Sequence, residues 1–240
     1  MPGKQGYAVV SCHVERPLDD RVWKPYLDFV AARPGGFRVA SLLRPPADGE
    51  QGAELFVERA RTVAAHGPFG HHTHFTSPTH ARPTGGDPAA QVRCEGAWLR
   101  EQGLEAVFYC GGGWYADLEV MGAVADLGYA DCTATSWRPA TLAEGAARLE
   151  LDQPARLVLP DGRKVLELPT THSTGAAARS LARSLPPVVH LHFHDYELLD
   201  RRRTVALRAV LRLLALRRRP ISLADLQAER EVAWADVWRG

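Results

Sequence analysis

The sequence predicts one α/β domain over residues 1–240, built on a parallel sheet that curls into a distorted (β/α)7-type barrel. Three observations predict it. Strand-like and helix-like stretches alternate about six or seven times, the pattern of parallel strands joined by crossover helices. A length of 240 residues suits one such barrel in a single domain. Nine of the ten histidines fall at, or near, the ends of the predicted strands, and barrels of this kind carry their chemistry at strand C-termini.

The elements follow in order. Tyr7–Val14 is mostly apolar and reads as a buried strand, followed by a helix near Arg21–Ala32. Phe37–Leu43 is strand-like, Ala53–Ala65 helical, and a histidine-rich segment occupies 66–80. Pro88–Gln102 is a helix opened by proline and stopped by Gly103. Leu104–Cys110 is a short apolar strand that runs into Gly111, Gly112 and Gly113, a tight turn that brings Trp114 and Tyr115 to the mouth. Asp117 caps the next helix, Gly128 ends it, and Tyr129–Thr133 is strand-like. Two alternating runs joined through Pro160-Asp161-Gly162 predict a β-hairpin near 157–168, inserted into the strand–helix rhythm. Pro187–Phe193 is a strand. Asp200–Leu216 is a long helix with Leu207, Val210, Leu211 and Leu214 on one face, and Ser222 caps a last short helix.

Composition narrows the function classes. Net charge is +1, so no global field points to nucleic acid, a membrane surface or a polyanionic partner. The arginine runs at 201–203 and 217–219 read as a solvated face. The first seven residues carry no apolar leader, and no apolar stretch approaches the ~20 residues of a membrane span. Cys12, Cys94, Cys110 and Cys132 show neither metal-ligand spacing nor a disulfide framework, which suits a reducing compartment. A cytoplasmic location is the expectation.

Three polar clusters mark strand ends. The first strand ends in His13-Val14-Glu15, whose outer two residues share a face. The segment after the second helix carries His71, His72, His74 and His80, and the late strand reads His190-Leu191-His192-Phe193-His194-Asp195. Imidazoles with one carboxylate are the ligands a divalent ion takes, and a free coordination position makes such a site catalytic.

Four segments, in order from about residue 7 to 226, resemble the NodB-like polysaccharide deacetylases. They are His13-Val14-Glu15, Gly70-His71-His72-Thr73-His74, Phe108-Tyr109-Cys110-Gly111-Gly112-Gly113-Trp114-Tyr115, and Leu191-His192-Phe193-His194-Asp195. The resemblance implies a barrel of that kind and a divalent metal, Zn²⁺ first, with Mn, Fe, Co or Ni as alternatives. It implies hydrolysis of an acetyl group on a small N-acetylated sugar or glycoconjugate precursor and leaves oligomeric state open; the balanced charge and the lack of an apolar span are what predict no nucleic-acid or membrane partner. Glu15 takes the place of a metal carboxylate and His74 that of the second metal histidine. The usual four-residue spacing falls on Gly70, so His71 or His72 supplies the first. His194 matches the acid that protonates the leaving amine, tuned by Asp195. Trp114, Tyr115 and Asp20 are the substrate-side candidates.

Two positions depart from the family pattern. His13 stands where the family has its Asp base, and Cys110 where it has the Arg that holds that Asp. Imidazole can serve as a base near neutral pH. If His13 is instead a ligand, Asp19 or Asp20 must supply the base. Two other readings stand beside the enzyme: a degenerate deacetylase fold that binds carbohydrate or a partner protein, and a (β/α)8 metal amidohydrolase using His192-Phe193-His194.

Overall fold

The apolar run Tyr7–Val14 forms β1, and burial of both its faces makes it the centre of the sheet. The computed structural model describes residues 6–47, 49–142 and 148–229, and the backbone of 235–239. The further strands are β2 (Ala40–Leu43), β3 (Phe69–Thr73), β4 (Phe108–Gly111), β5 (Ala130–Asp131), β6 (Ala140–Thr141) and β7 (Arg148–Leu149). β8 (Ala155–Val158), β9 (Lys164–Glu167), β10 (His172–Ser173), β11 (Val188–His194), β12 (Arg219–Pro220) and β13 (Ala235–Arg239) complete the set. The helices are α1 (Asp20–Ala31), α2 (Ala53–Ala64), α3 (Pro88–Glu101), α4 (Leu118–Leu127), α5 (Thr174–Ser180), α6 (Arg201–Arg217) and α7 (Leu223–Ala228).

The main sheet runs β10-β11-β1-β2-β3-β4-β5-β9-β8-β13, with β12 also paired to β1. All its pairs are parallel except β8 with β9. The sheet curls back on itself through the segment that follows β9. There, Leu168 N donates to Asp131 O at 2.7 Å, Thr170 N to Ala134 O at 3.0 Å, and Thr171 N to His190 O at 3.0 Å. That segment therefore spans from β5 to β11. The hairpin expected near 157–168 forms, but the description of it as an insertion needs correction. Its second strand, β9, belongs to the wall, because Leu166 and Leu168 face the interior while Val165 packs on the α4 side.

Why the helices form is legible locally. Asp19, Asp87, Asp117, Ser173, Asp200 and Ser222 each accept a backbone N–H at the start of a helix, satisfying donors that would otherwise be orphaned. Gly128 ends α4 with φ of 69°, as the sequence predicts. Three apolar clusters hold the layers together. One lies under α1, α2, α5 and α6, one under α3 and α4, and one fills the interior of the curl with Val9, Leu42, Phe108 and Cys132. Leu223 and Leu226 of α7 close the interior at the N-terminal end of the strands. The strands expected over Phe37–Leu43 and Leu104–Cys110 start later than their apolar runs, since Phe37, Val39 and Leu104 serve helix packing instead.

A polar row crosses the sheet on the face under α3 and α4. His71, Tyr109, Asp131 and Glu167 are register partners on four neighbouring strands, and all four side chains are buried. Asp131 accepts from Thr133 N and Thr133 Oγ1, so it has donors for its charge. Glu167 has none, and two adjacent buried carboxyls cannot both ionise. Burial, with the charge of Asp131 beside it, pushes Glu167 well above the usual carboxylate range, and burial raises Asp131 too. The pair thus holds a proton in the folded state that it releases when unfolded. Its stabilisation is full below the ordinary carboxylate pKa and is lost as pH rises through the folded value. Glu167→Gln, which keeps a donor toward Asp131 without a proton to lose, is expected to melt with a shallower decline than the parent between roughly pH 5 and pH 8. Calorimetry across that range checks it, and identical slopes would count against the shared proton.

Candidate active site

Alternation along three parallel strands builds the site. Val9, Ser11 and His13 of β1 point inward, as do His190, His192 and His194 of β11 and His72 of β3. Ser11 Oγ donates to His190 Nε2 at 2.8 Å, and His190 Nδ1 donates to Leu168 O at 2.9 Å. His190 is therefore a satisfied floor residue. Above it the His13 ring stacks on His72 at 4.7 Å and on His192 at 5.6 Å. Glu15, His74 and His194 stand at the rim.

Backbone carbonyls fix the tautomers. His72 Nδ1 donates to Cys110 O at 2.8 Å and His74 Nδ1 donates to Pro78 O at 3.0 Å. That leaves Nε2 of each as a buried lone pair with no partner, and His13 Nε2 is in the same position. Buried polar atoms are rarely left so, and an aqueous or ionic partner is the ordinary reason. Glu15, His72 and His74 each present a ligand atom, all within 4.8 Å of one another. His13, His72 and Cys110 form a second such trio. Glu15 Oε1 lies 3.7 Å from His74 Nε2 and 3.5 Å from His194 Nε2, ion-pair separations longer than a hydrogen bond.

The electrostatics divide the histidines. Burial, then the neighbouring imidazoles, keeps His13 well below the usual imidazole range. Burial likewise brings His72 and His192 to about 3 and His190 to about 4. Burial works against Glu15, but His74, His72 and His194 outweigh it and bring its carboxyl to about 2. His194 goes the other way. Burial opposes its charge, yet the carboxylates of Glu197 and Glu15 raise it above the ordinary value. The site thus sets a charged carboxylate beside His13, His72 and His192, all biased toward the neutral form, and His194, biased toward its protonated form.

The structure brings together His13, Glu15, His72, His74, His194 and Trp114. It places five other candidates elsewhere. His71 points through the opposite face of β3, because it neighbours His72 in a strand, and its Nε2 meets Glu95 Oε2 at 2.7 Å. Asp20 begins α1, is exposed, and pairs with Arg59. Asp19, the other alternative base, caps α1 and binds Arg21. Tyr115 packs edge-on against Phe75 and donates to Asp117 at the start of α4. Asp195 accepts from Arg16 N at 2.9 Å and Tyr196 N at 2.8 Å, and burial holds its carboxyl up at about 6. It joins the end of β11 to the β1–α1 loop and adds to the negative field that raises His194, but the hydrogen bond to that ring comes from another group.

That group is Glu197, whose Oε1 accepts from His194 N at 3.1 Å and from His194 Nδ1 at 3.0 Å. The three-residue spacing of a capping box is a signal that could have found it. Trp137 was also missed, and no spacing points to it: it stacks on His192 at 5.7 Å and meets Trp114 edge-on at 5.8 Å. Trp114 reaches His13 and His192 because the turn before it is tight. A Cβ on Gly112 would lie 2.4 Å from Thr73 O, and Gly113 and Trp114 both take positive φ, 61° and 60°.

The sequence matches no family model and no curated protein. Among solved structures, the fold is similar to the crystal structure of 4-alpha-glucanotransferase from Thermococcus litoralis, with a TM-score of 0.56 and 11% identity. The likeness covers 96% of this chain and 39% of that one, so this chain spans about two fifths of the other's length. At that identity it speaks for the fold alone, and it is consistent with a (β/α) barrel.

Glu197→Gln removes the anion that favours the charged form of His194. In chelator-treated protein, the His194 imidazole is expected to titrate at lower pH than in the parent, read by NMR. An unchanged titration would assign its bias to Glu15 instead.

Proposed function

We propose that this protein is a metal-dependent hydrolase of the polysaccharide deacetylase kind that removes an acetyl group from a small N-acetylated sugar or glycoconjugate precursor. The observation that carries the reading is that His72 and His74, each with a buried and unpartnered Nε2, present ligand atoms beside the Glu15 carboxylate, while His13, whose Nε2 is also unpartnered, groups with His72 on the inner side. That donor set fits a divalent ion, Zn²⁺ in the first instance, with Mn, Fe, Co or Ni as alternatives. Glu15, His72 and His74 would hold it. When bound, such an ion polarises the acyl carbonyl and makes water acidic enough to attack near neutral pH.

The chain's own residues supply the remaining work. His13 stays neutral with Nε2 free, the state a general base needs to take the proton of the attacking water. Glu197 anchors His194 through Nδ1, so Nε2 faces Glu15 and can deliver a proton to the leaving nitrogen. Breaking the amide C–N bond then yields acetate and an amine, with one water consumed. Trp114, His192 and Trp137 form an aromatic wall beside these groups, apt for the apolar face of a sugar ring.

One observation favours a second reading, a binding protein on the same scaffold without turnover. Cys110 stands where the resemblance expects an arginine, and burial raises its thiol far above the range of a useful anion. Elemental analysis of reconstituted protein, paired with acetate release from N-acetylglucosamine and its oligomers, separates the two. The enzyme reading expects about one equivalent of metal in the parent, in His13→Ala and in His71→Ala, and well under that in His74→Ala. Activity is expected to fall about 10²–10⁴-fold in His13→Ala and His194→Ala with metal retained. Full metal with no acetate release from any probe favours the binding protein. Parent protein that takes up no metal overturns both the ligand set and the reaction.

A further inference from the structure

Helix α6, RRRTVALRAVLRLLALR, carries six arginines and no acid. Its inner face is ordinary: Leu207, Val210, Leu211 and Leu214 are buried against the sheet and the Pro34–Gly36 turn. The outer face is not. Seven large hydrophobic side chains are exposed among the described residues; three of them, Val205, Leu213 and Leu216, lie on this helix at 60%, 50% and 73% exposure. A fourth, Leu199, lies in the turn that leads into it. At 100° per residue Val205, Ala209, Leu213 and Leu216 form one strip, with Arg201 and Arg212 beside it. A helix that is apolar on two opposite sides is one whose outer side has something to cover it.

The charge decides what covers it. A second copy of this chain, helix to helix, would set the exposed Arg201, Arg202 and Arg212 against their own copies with no carboxylate within either helix, which like-charge repulsion disfavours. The whole chain carries only +1, so this excess is local and acids elsewhere balance it. Long apolar side chains on an outer helix about 25 Å long make a ridge. A ridge of leucines and valine flanked by arginines suits a fluid, anionic interface into which the side chains insert while the guanidinium groups stay at the headgroups.

We propose that the outer face of α6 is a docking surface for an anionic lipid bilayer, against which the domain lies peripherally. This goes beyond the proposed hydrolysis and does not depend on it. It goes beyond the expectation that 201–203 and 217–219 mark a solvated face. The runs differ: Arg217 and Arg218 donate to backbone carbonyls of the 181–186 segment, while Arg201 and Arg202 extend into solvent. Because α6 begins shortly after His194, docking would hold the mouth of the barrel within reach of the headgroup layer.

Co-sedimentation of the full chain with vesicles tests it. Binding is expected to vesicles of phosphatidylcholine mixed with phosphatidylglycerol, to fall at least tenfold on pure phosphatidylcholine, and to weaken in high salt. Leu213→Ser with Leu216→Ser is expected to reduce partitioning about tenfold or more while leaving the melting temperature unchanged. Arg201→Gln with Arg212→Gln checks the electrostatic half independently, with a loss of severalfold on the mixed vesicles. Equal binding to neutral and anionic vesicles, undiminished binding of the serine variant, or binding to polyglutamate without binding to vesicles would each overturn the proposal.

Discussion

The geometry of the mouth depends on one constraint: neighbouring residues on a strand must face opposite sides of the sheet. On β3 it sends His72 into the interior and His71 out beneath α3. On β11 it keeps His190, His192 and His194 in one inward column while Leu191 and Phe193 pack outside. On β1 it aligns Ser11 with His13, and Glu15 continues that line just past the strand. Parallel pairing then brings these columns side by side, since His13 is the register partner of His194.

Desolvation turns that geometry into chemistry. A buried imidazole resists protonation, and a carbonyl that occupies Nδ1 leaves one lone pair with a fixed direction. Cys110 O and Pro78 O occupy Nδ1 of His72 and His74 and so direct the Nε2 lone pair of each. Glu15 stays charged because cationic and hydrogen-bonding neighbours outweigh its burial. His194 differs from the rest only through the carboxylates that face it, Glu197 before Glu15. Small differences in neighbours thus separate residues of one type into candidate ligands, base and acid.

The same strands carry a second buried polar layer on their outer face, from His71 through Tyr109 and Asp131 to Glu167. Glu95 and Thr73 close it at one end by hydrogen bonding to His71 and to each other. The site and this row share β3 and β4 back to back. Of the buried polar atoms that lack partners among the described residues, most belong to one or the other. The rest of the interior is conventional apolar packing, and among the described helices α6 alone turns a long apolar strip outward.

Much of this was legible from residue order. Strand–helix alternation, the caps at Asp117 and Ser222, and the inward face of α6 follow from periodicity and capping chemistry. So did the three histidine-bearing strand ends, because polar residues closing an apolar run stand out in one dimension. The tertiary structure decided which of them meet. Between His71 and His72 the choice rests on strand phase, and between Asp195 and Glu197 on where a carboxylate lands after the chain turns through Asp195–Leu199. A capping-box spacing hints at Glu197, but the strand phase that separates His71 from His72 is not encoded in spacing alone. Trp137 and the pairing of Asp131 with Glu167 join segments that only the curl of the sheet makes neighbours. Sequence determined the kinds of groups at the strand ends; folding determined their partners, because contact across strands depends on register and facing, which a linear pattern does not contain.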